Sequence, residues 1–339
     1  MPATPITAVK GQREDLSDAM VLIEPGDTPL FSMCKKAKEP TNVLFQWPAD
    51  KYNDPQTGGV LASEDAESFS DQHANRDLLS GRIQKVRRAF QVDDLVENVA
   101  DLAGVGRKQA FNKSAAKALV ELKIDIEAIM GSDNDSQVQS GANPYKTRGI
   151  GSWINPVSHT YSDVATKVPD LFRTPAASIN TTVTTSLTEN NVIDVLQSIY
   201  GVRRARRNYD LVCGVSLKRA FTNFIRTQTG STNVMSSVRG FNSNAEDKKI
   251  VNTIDIYEGD FGILSLHVST YLAHGAATAA ISAARGYVLD MDLVSIGFNR
   301  KPRMEELEDR GGGRRGFCDA IFGVAVANPQ VLGKFAATA

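Results

Sequence analysis

The residues of this chain whose types could do chemistry are scattered, and their spacing matches no catalytic or metal-binding pattern. His73, His159, His267 and His274 stand apart from one another. None belongs to an HExxH pair, and none has ligand spacing to a cysteine. Asp133-Asn134-Asp135 opens like a calcium loop, but the loop's glycine and closing glutamate are missing, so the run reads as a solvated helix end. Gly104-Val105-Gly106-Arg107-Lys108 precedes a helix and could hold an anion at its N-terminus. It lacks the Gly-Lys-Ser/Thr unit of a Walker loop, and a flexible helix start is the plainer reading. The GGGRR run from Gly311 to Arg315 could cradle an anion through backbone N–H groups, but it serves better as a hairpin turn. Ser216 sits in GVSLK rather than GxSxG, so there is no nucleophile elbow. Cys34, Cys213 and Cys318 form no CxxC, and their odd number argues against a disulfide framework and for a reducing compartment. The expectation is therefore no catalytic residue, no metal and no cofactor.

What remains is clustered charge. Arg203, Arg204, Arg206 and Arg207 form the densest group. They are either solvated beyond a helix C-terminus, where cations are favourable, or a contact to acidic residues of a neighbouring subunit or to nucleic acid. Base-stacking aromatics are scarce there, with only Tyr209 nearby. A second basic run, Arg82, Lys85, Arg87 and Arg88, follows an acidic one that contains Glu64, Asp65, Glu67 and Asp71. The 38 Lys and Arg against 39 Asp and Glu give a formal net charge of −1. Such a balance creates no global field toward nucleic acid or an anionic membrane, and it does not oppose dense self-association. The N-terminus has no signal-peptide core. The alanine-rich 273–284 run is too short and too weakly apolar to span a bilayer.

The elements that must position these charges centre on one long helix predicted over 106–130. Phe111, Ala115, Leu119, Leu122, Ile126 and Ile129 share one face, and Lys113, Lys117, Glu121, Lys123, Asp125 and Glu127 fall mostly elsewhere. Lys117 and Glu121 have i, i+4 spacing. Before the helix, 1–14 reads as an arm, 15–23 as a short helix and 30–33 as an apolar anchor. Residues 43–47 and 82–92 alternate like strands and predict one long β-hairpin with an extended tip between them. Val86, Phe90 and Val92 share one side of its returning strand. After the helix a polar stretch, 133–185, carries Trp153 and Ile154 as anchors. Ser186 with Glu189 predicts a capping box for a helix whose apolar face is Val192, Leu196 and Ile199 and which Gly201 ends. A strand at 209–213, a helix capped by Ser216 and a hairpin around Glu258-Gly259-Asp260 follow. The last fifty residues read as strands at 287–289, 293–298, 303–307, 316–326 and 331–335.

That order of elements resembles the major capsid proteins of tailed double-stranded DNA phages, with the Hong Kong 97-type fold. More narrowly it is similar to the major head protein family whose N-terminus reads DL…I.P..TP..SM. Here those residues are Asp15-Leu16, Ile23, Pro25, Thr28-Pro29 and Ser32-Met33, leading to Gln46-Trp47. Further matching pieces are Glu121-Leu122-Lys123 with Asp125-Ile126-Glu127, Trp153, and Tyr257 with Asp260-Phe261-Gly262. Val288-Leu289-Asp290 and Glu305-Glu306-Leu307 complete them. The resemblance implies an α+β fold with an N-terminal arm at 1–35 and an extended E-loop at 36–95. A P-domain would take 96–185 with its spine helix, an axial A-domain 186–290, and closing P-domain strands 291–339.

The resemblance also implies a structural protein rather than an enzyme. It would assemble with itself into hexamers and pentamers of an icosahedral head, enclosing double-stranded DNA without sequence specificity. Portal and scaffolding proteins, and decoration proteins where a head carries them, are the implied partners. The implied location is the virion, after assembly in the host cytoplasm. Since Met1 is present, a separate scaffolding protein is expected rather than a cleaved N-terminal one. No residue matches the lysine–asparagine pair that cross-links some relatives. The expected interface residues are Phe45, Trp47 and Phe90, the basic strand Arg82, Lys85, Arg87 and Arg88, the acidic Glu64 and Asp65, and the Arg203–Arg207 cluster. Two competing readings are an α+β enzyme binding a phosphorylated ligand at 104–108 or 311–315, and a nucleic-acid-binding protein using Arg203 to Arg207.

Overall fold

The computed structural model describes residues 27–55, 76–98, 108–224, 255–272 and 283–336. The arm and its short helix, the tip of the extended loop with Glu64 and Asp65, and the glycines at 104 and 106 lie outside these residues, as does most of the alanine-rich run. In chain order the fold begins with α1 (Pro29–Met33), β1 (Lys35–Lys36), β2 (Leu44–Ala49), β3 (Asp77–Arg82), β4 (Gln84–Gln91), α2 (Asp94–Asn98) and α3 (Ala110–Met130). It continues with α4 (Ile150–Trp153), β5 (Ile179–Asn180), α5 (Glu189–Arg203), β6 (Arg207–Cys213), α6 (Val215–Phe224), β7 (Ile256–Gly259) and β8 (Gly262–Val268). It closes with β9 (Gly286–Leu289), β10 (Val294–Leu307), β11 (Arg315–Val326) and β12 (Gly333–Phe335). The chain is α+β, in two compact units.

The larger unit comprises Asp27–Val86, Lys123–Pro302 and Ala320–Ala339. Its centre is a six-stranded mixed sheet in the order β5-β12-β9-β6-β8-β7. β6 lies between parallel β8 and antiparallel β9, and its Tyr209, Leu211, Val212 and Cys213 are buried. A near-continuous apolar run is what a strand covered on both faces requires. Val192, Leu196 and Ile199 of α5 and Leu217 and Phe221 of α6 pack with Leu211, Leu264, Val288 and Phe335 in one core. The predicted hairpin around Glu258-Gly259-Asp260 is present, with Ile256 paired to Ser265 and Gly259 to Gly262. The last strand, β12, pairs with β5 and β9.

Several expected boundaries move. α5 starts after Thr188 rather than Ser186. Asn191 completes the capping box, its Oδ1 accepting from the Thr188 N–H at 2.9 Å. Gly201 stays helical, and Arg204 takes the left-handed end position at φ 57°. α6 begins at Val215, so Ser216 lies inside it. The predicted strands 293–298 and 303–307 are one strand, β10, which runs through Pro302. β1 pairs with it only at Ser295 and Ile296, so Pro302 sits on a free edge, where its missing N–H breaks no ladder bond.

The hairpin expectation also changes. β2 pairs antiparallel with β3, from Leu44 opposite Arg82 to Ala49 opposite Asp77. The strand at 84–91 is not its partner. It joins a separate sheet in the order β1-β10-β11-β4. The alternation over 82–92 is real, but it addresses that second sheet.

The spine helix starts at Ala110, preceded by Lys108 at φ 61°. Its buried stripe is Phe111, Ala115, Ala118, Leu122, Ile126 and Met130. Leu119, placed on that stripe by its size, is 42% exposed, and the smaller Ala118 takes its place. Lys117 and Glu121 do pair, at 3.8 Å.

The smaller unit holds Arg87–Leu122 and Arg303–Asp319. Phe90 packs on Phe111 with ring centroids 5.2 Å apart, next to Val92 and Ala110. The Phe111 N–H donates to Glu97 Oε2 at 3.1 Å. Gly311, Gly312 and Gly313 turn the chain between β10 and β11, all with positive φ. At Gly313 a Cβ would fall 2.1 Å from the Val92 carbonyl oxygen, so the turn admits no side chain there.

Candidate functional site

The expected interface residues fall into those committed within the chain and those left at its surface. Phe45 and Trp47 on β2 stack at 5.7 Å, and Trp47 meets the buried Trp153 ring at 5.7 Å. Phe45 lies flat over Gly81 and Gly323, where a Cβ would come within 2.8 and 2.5 Å of its ring. Both rings are half-buried by their own chain and border an open cleft of about 550 Å³ that also touches Lys38, Gln46, Ser295 and Ala325.

Arg82 is a correction to the expected basic surface. It is 9% exposed and pairs through Nε and Nη2 with Asp163. Burial pushes the Asp163 carboxyl up, but the Arg82 hydrogen bond and charge, with the Ala165 N–H, bring it below the usual carboxylate range. Lys85, Arg87 and Arg88 remain exposed on β4. Arg87 lies 3.9 Å over the Phe317 ring and 3.8 Å from the buried Asp319, which Arg303 also reaches at 3.5 Å.

The arginine cluster is neither simply solvated nor a single patch. Arg203 pairs with Asp290 at 2.5 Å, mostly buried. Arg204 reaches Asp54 at 2.6 Å. Arg206 reaches Glu258 at 2.7 Å and the Gly259 carbonyl at 3.1 Å. Arg207 is exposed at the start of β6.

The most heavily used charges are ones the sequence reading assigned to solvent. Glu127 was placed off the apolar stripe, yet it is fully buried. It accepts the Leu30 N–H at 3.1 Å, the Phe31 N–H at 2.7 Å and the Ser269 hydroxyl at 2.9 Å. It thus caps α1 from a distant part of the chain, satisfying amides that a helix start leaves without partners. Burial raises its carboxyl above the ordinary value, against the lowering effect of those three donors. A signal was present: Glu127 stands three residues before Met130, on the flank of the stripe.

The Asp133–Asp135 run is likewise no solvated helix end. Asp133 pairs with Lys334 at 2.7 Å and Arg285 at 2.5 Å. Asp135 takes the Arg148 Nε at 2.9 Å and the Ser162 N–H at 2.5 Å. Arg148 has no exposed side-chain surface, and its guanidinium lies 4.8 Å from the Trp153 ring centre and 4.3 Å from that of Tyr161. Gly151 permits the close approach, since a Cβ there would sit 1.9 Å from Asp133 Oδ1. The nearby Arg173 gathers the carbonyls of Val157, His159 and Val168. These groups lock irregular backbone in place.

Among the described residues no group of three or more His, Cys, Asp or Glu could hold a metal ion, and no helix is long and apolar enough to cross a membrane. His267 pairs with Asp210 at 3.2 Å, and His159 packs edge-on to Tyr161. The three cysteines are buried free thiols, and burial pushes those of Cys34 and Cys213 up to about 12.

The chain is similar to the Cyanophage A-1(L) capsid, with a TM-score of 0.63 at 12% identity, over 98% of this chain and 99% of that one. It is similar to the capsid of the native GTA particle, with a TM-score of 0.59 at 10% identity and 99% of each chain covered. Against Mycobacterium phage Adephagia the TM-score is 0.57 at 11% identity, over 100% and 99% of the two chains. At these identities the likeness establishes the fold, which is Hong Kong 97-type. No curated protein sequence matches significantly. The family model for the SU10 major capsid protein matches residues 4–339. The chain therefore belongs to the SU10 major capsid protein family and is a structural protein of a phage capsid.

Proposed function

We propose that this capsid protein forms hexamers and pentamers that close into an icosahedral head around double-stranded DNA, held without sequence specificity. The family match over residues 4–339 carries the reading. In this reading 1–35 is the N-terminal arm, 36–95 the E-loop, 96–185 the P-domain with its spine, 186–290 the A-domain and 291–339 the closing strands. The protein acts through its interfaces and catalyses no reaction. Its partners are its own copies, a portal and a scaffolding protein, with assembly in the host cytoplasm.

The half-exposed Phe45 and Trp47 rings and the exposed Lys85, Arg87 and Arg88 are the surfaces that a neighbouring subunit completes. Such charges set register and partner choice more than affinity. Arg87 is a poor probe of this, because a glutamate there would face the buried Asp319. Lys85→Glu with Arg88→Glu is the test, read on variants whose unassembled fold is intact. It should cut particle yield at ordinary salt while leaving the circular dichroism of the unassembled chain unchanged. Sedimentation of the purified wild-type chain should resolve species with the mass of five and six subunits. A strictly monomeric chain, with or without its neighbouring genes, contradicts the reading.

A further inference from the structure

The outer edge of β10 carries no paired strand over residues 301–307 among the described residues. Its seven residues 301–307 are all exposed. β11 lies on one side, and on the other β1 reaches only Ser295 and Ile296. A Cβ at Gly316 of β11 would lie 3.0 Å from the Glu305 carbonyl oxygen, so Glu305 turns its backbone groups toward β11. By the alternation of an antiparallel ladder, Arg303 and Leu307 do the same, while Pro302, Met304 and Glu306 turn theirs outward. Long edges of this kind are templates for pairing with another chain.

The sequence of the edge selects the partner. Its first part is basic (Arg300, Lys301, Arg303) and its last part acidic (Glu305, Glu306, Glu308), with Met304 between them. Reversed on itself about Met304, the strand sets Arg303 opposite Glu305 and Arg300 opposite Glu308, twice each. We propose that β10 pairs with β10 of a second copy of this chain, antiparallel about a two-fold axis at Met304. This deepens the reading that the chain assembles with its own copies, and it rests on that reading.

The pairing is consistent in detail. The two Met304 residues exchange both backbone hydrogen bonds. Each Glu306 N–H donates to the opposite Pro302 carbonyl, so the missing proline N–H removes one donor at each end without opening the ladder. Arg303 and Glu305 form a pair without backbone bonds, where Cα atoms approach to about 4.5 Å and side chains interact most. The two Met304 side chains, each 44% exposed, meet at the axis and supply the apolar contact. Within one chain Arg303 already touches Glu305 at 2.8 Å and Glu306 touches Arg314 at 2.8 Å, so the axis would join two half-formed charge networks. An isologous contact of this kind closes on itself. Lys301 and Pro302 at the same time discourage pairing with unrelated strands.

The test separates this contact from the in-chain one. Arg303→Glu alone and Glu305→Arg alone should each lower particle yield roughly tenfold or more, since like charges opposite one another cost more than 1.4 kcal/mol. A glutamate at 303 would also face the buried Asp319, so that variant is used with its unassembled fold checked by circular dichroism, and the rescue on mixing is the diagnostic readout. Mixing the two variants should restore yield, because each glutamate then faces an arginine of the other chain. The in-chain 303–305 pairs stay like-charged in the mixture, so a purely in-chain role predicts no rescue. In a second experiment, Met304→Cys in oxidised particles should give disulfide-linked dimers on non-reducing gels. The three native thiols are buried. Normal wild-type particles with no rescue and no dimer overturn the pairing and leave the shell reading standing. A wild-type chain that makes no particles overturns both.

Discussion

The six-stranded sheet and the connector that runs from Gly131 to Ser178 lie in one unit and are held by opposite means. The sheet and its two helices bury Leu196, Leu211, Phe221, Leu264 and Val288 against one another. Its backbone groups are satisfied by regular ladders. The connector has only short turns of helix. Its backbone polar groups need other partners, and side chains supply them: Asp135, Asp163, Arg148 and Arg173, all nearly or fully buried. Regular structure lets a region be stabilised by volume. Irregular structure makes it depend on paired charge, where removing one partner is far more damaging than changing a shape.

The largest expected effect tests the charge side. Asp135→Ala leaves Arg148 buried without its counter-ion, and loss of one member of a buried pair costs about 3–5 kcal/mol. Guanidinium denaturation of the unassembled chain measures it. Glu127→Ala is of the same order, since it leaves the Leu30, Phe31 and Ser269 donors without their acceptor, at about 1–3 kcal/mol for each that water does not reach. Its effect should concentrate in α1, where hydrogen exchange at the Leu30 and Phe31 amides should accelerate. The sharpest contrast comes from shape-preserving changes. Leu196→Met in the sheet core should cost less than about 1.5 kcal/mol, and Asp135→Asn, equally conservative in volume, should cost more. Equal costs would erase the distinction between the regions.

The smallest effect is in pH, and its sign differs between the two buried carboxylates. The folded Glu127 carboxyl is raised. Its contribution is complete below the unfolded glutamate value of about 4.3 and is lost as pH rises through the higher folded value. The folded Asp163 carboxyl is lowered. Its contribution is present above the unfolded aspartate value of about 3.9 and is lost as pH falls through the lower folded value. Lowering the pH through the raised folded value of Glu127 should therefore increase the protection factors at Leu30 and Phe31, with exchange referred to the intrinsic rate at each pH, and Glu127→Gln should abolish that increase. Strong acid should open the Arg82–Asp163 contact.

The same division explains what was legible in the sequence. The apolar face of α5, the Glu258–Asp260 hairpin and the Trp153–Ile154 anchor follow from periodicity and size, and the structure contains them. β4 was read correctly as alternating but given the wrong partner. Alternation fixes a strand's faces and is silent about which sheet receives them. Leu119 was misplaced because apolarity outranked geometry, when Ala118 fits the narrower space on the stripe. Glu127 and Asp135 read as solvent-facing and Arg82 as facing a neighbour, and Arg148 carries no signal in the sequence. A charge whose partner lies 97 or 81 residues away in sequence leaves no local pattern. The order of short motifs identified the fold where single residues could not, because it samples the whole chain.

The central claim is that this chain builds a closed shell from its own copies. Electron cryo-microscopy of particles made from the chain with its neighbouring genes tests it most directly. The account predicts closed shells in which this one chain occupies both five-fold and six-fold rings. A compact monomer under the same conditions, with no rings and no shells, would contradict it.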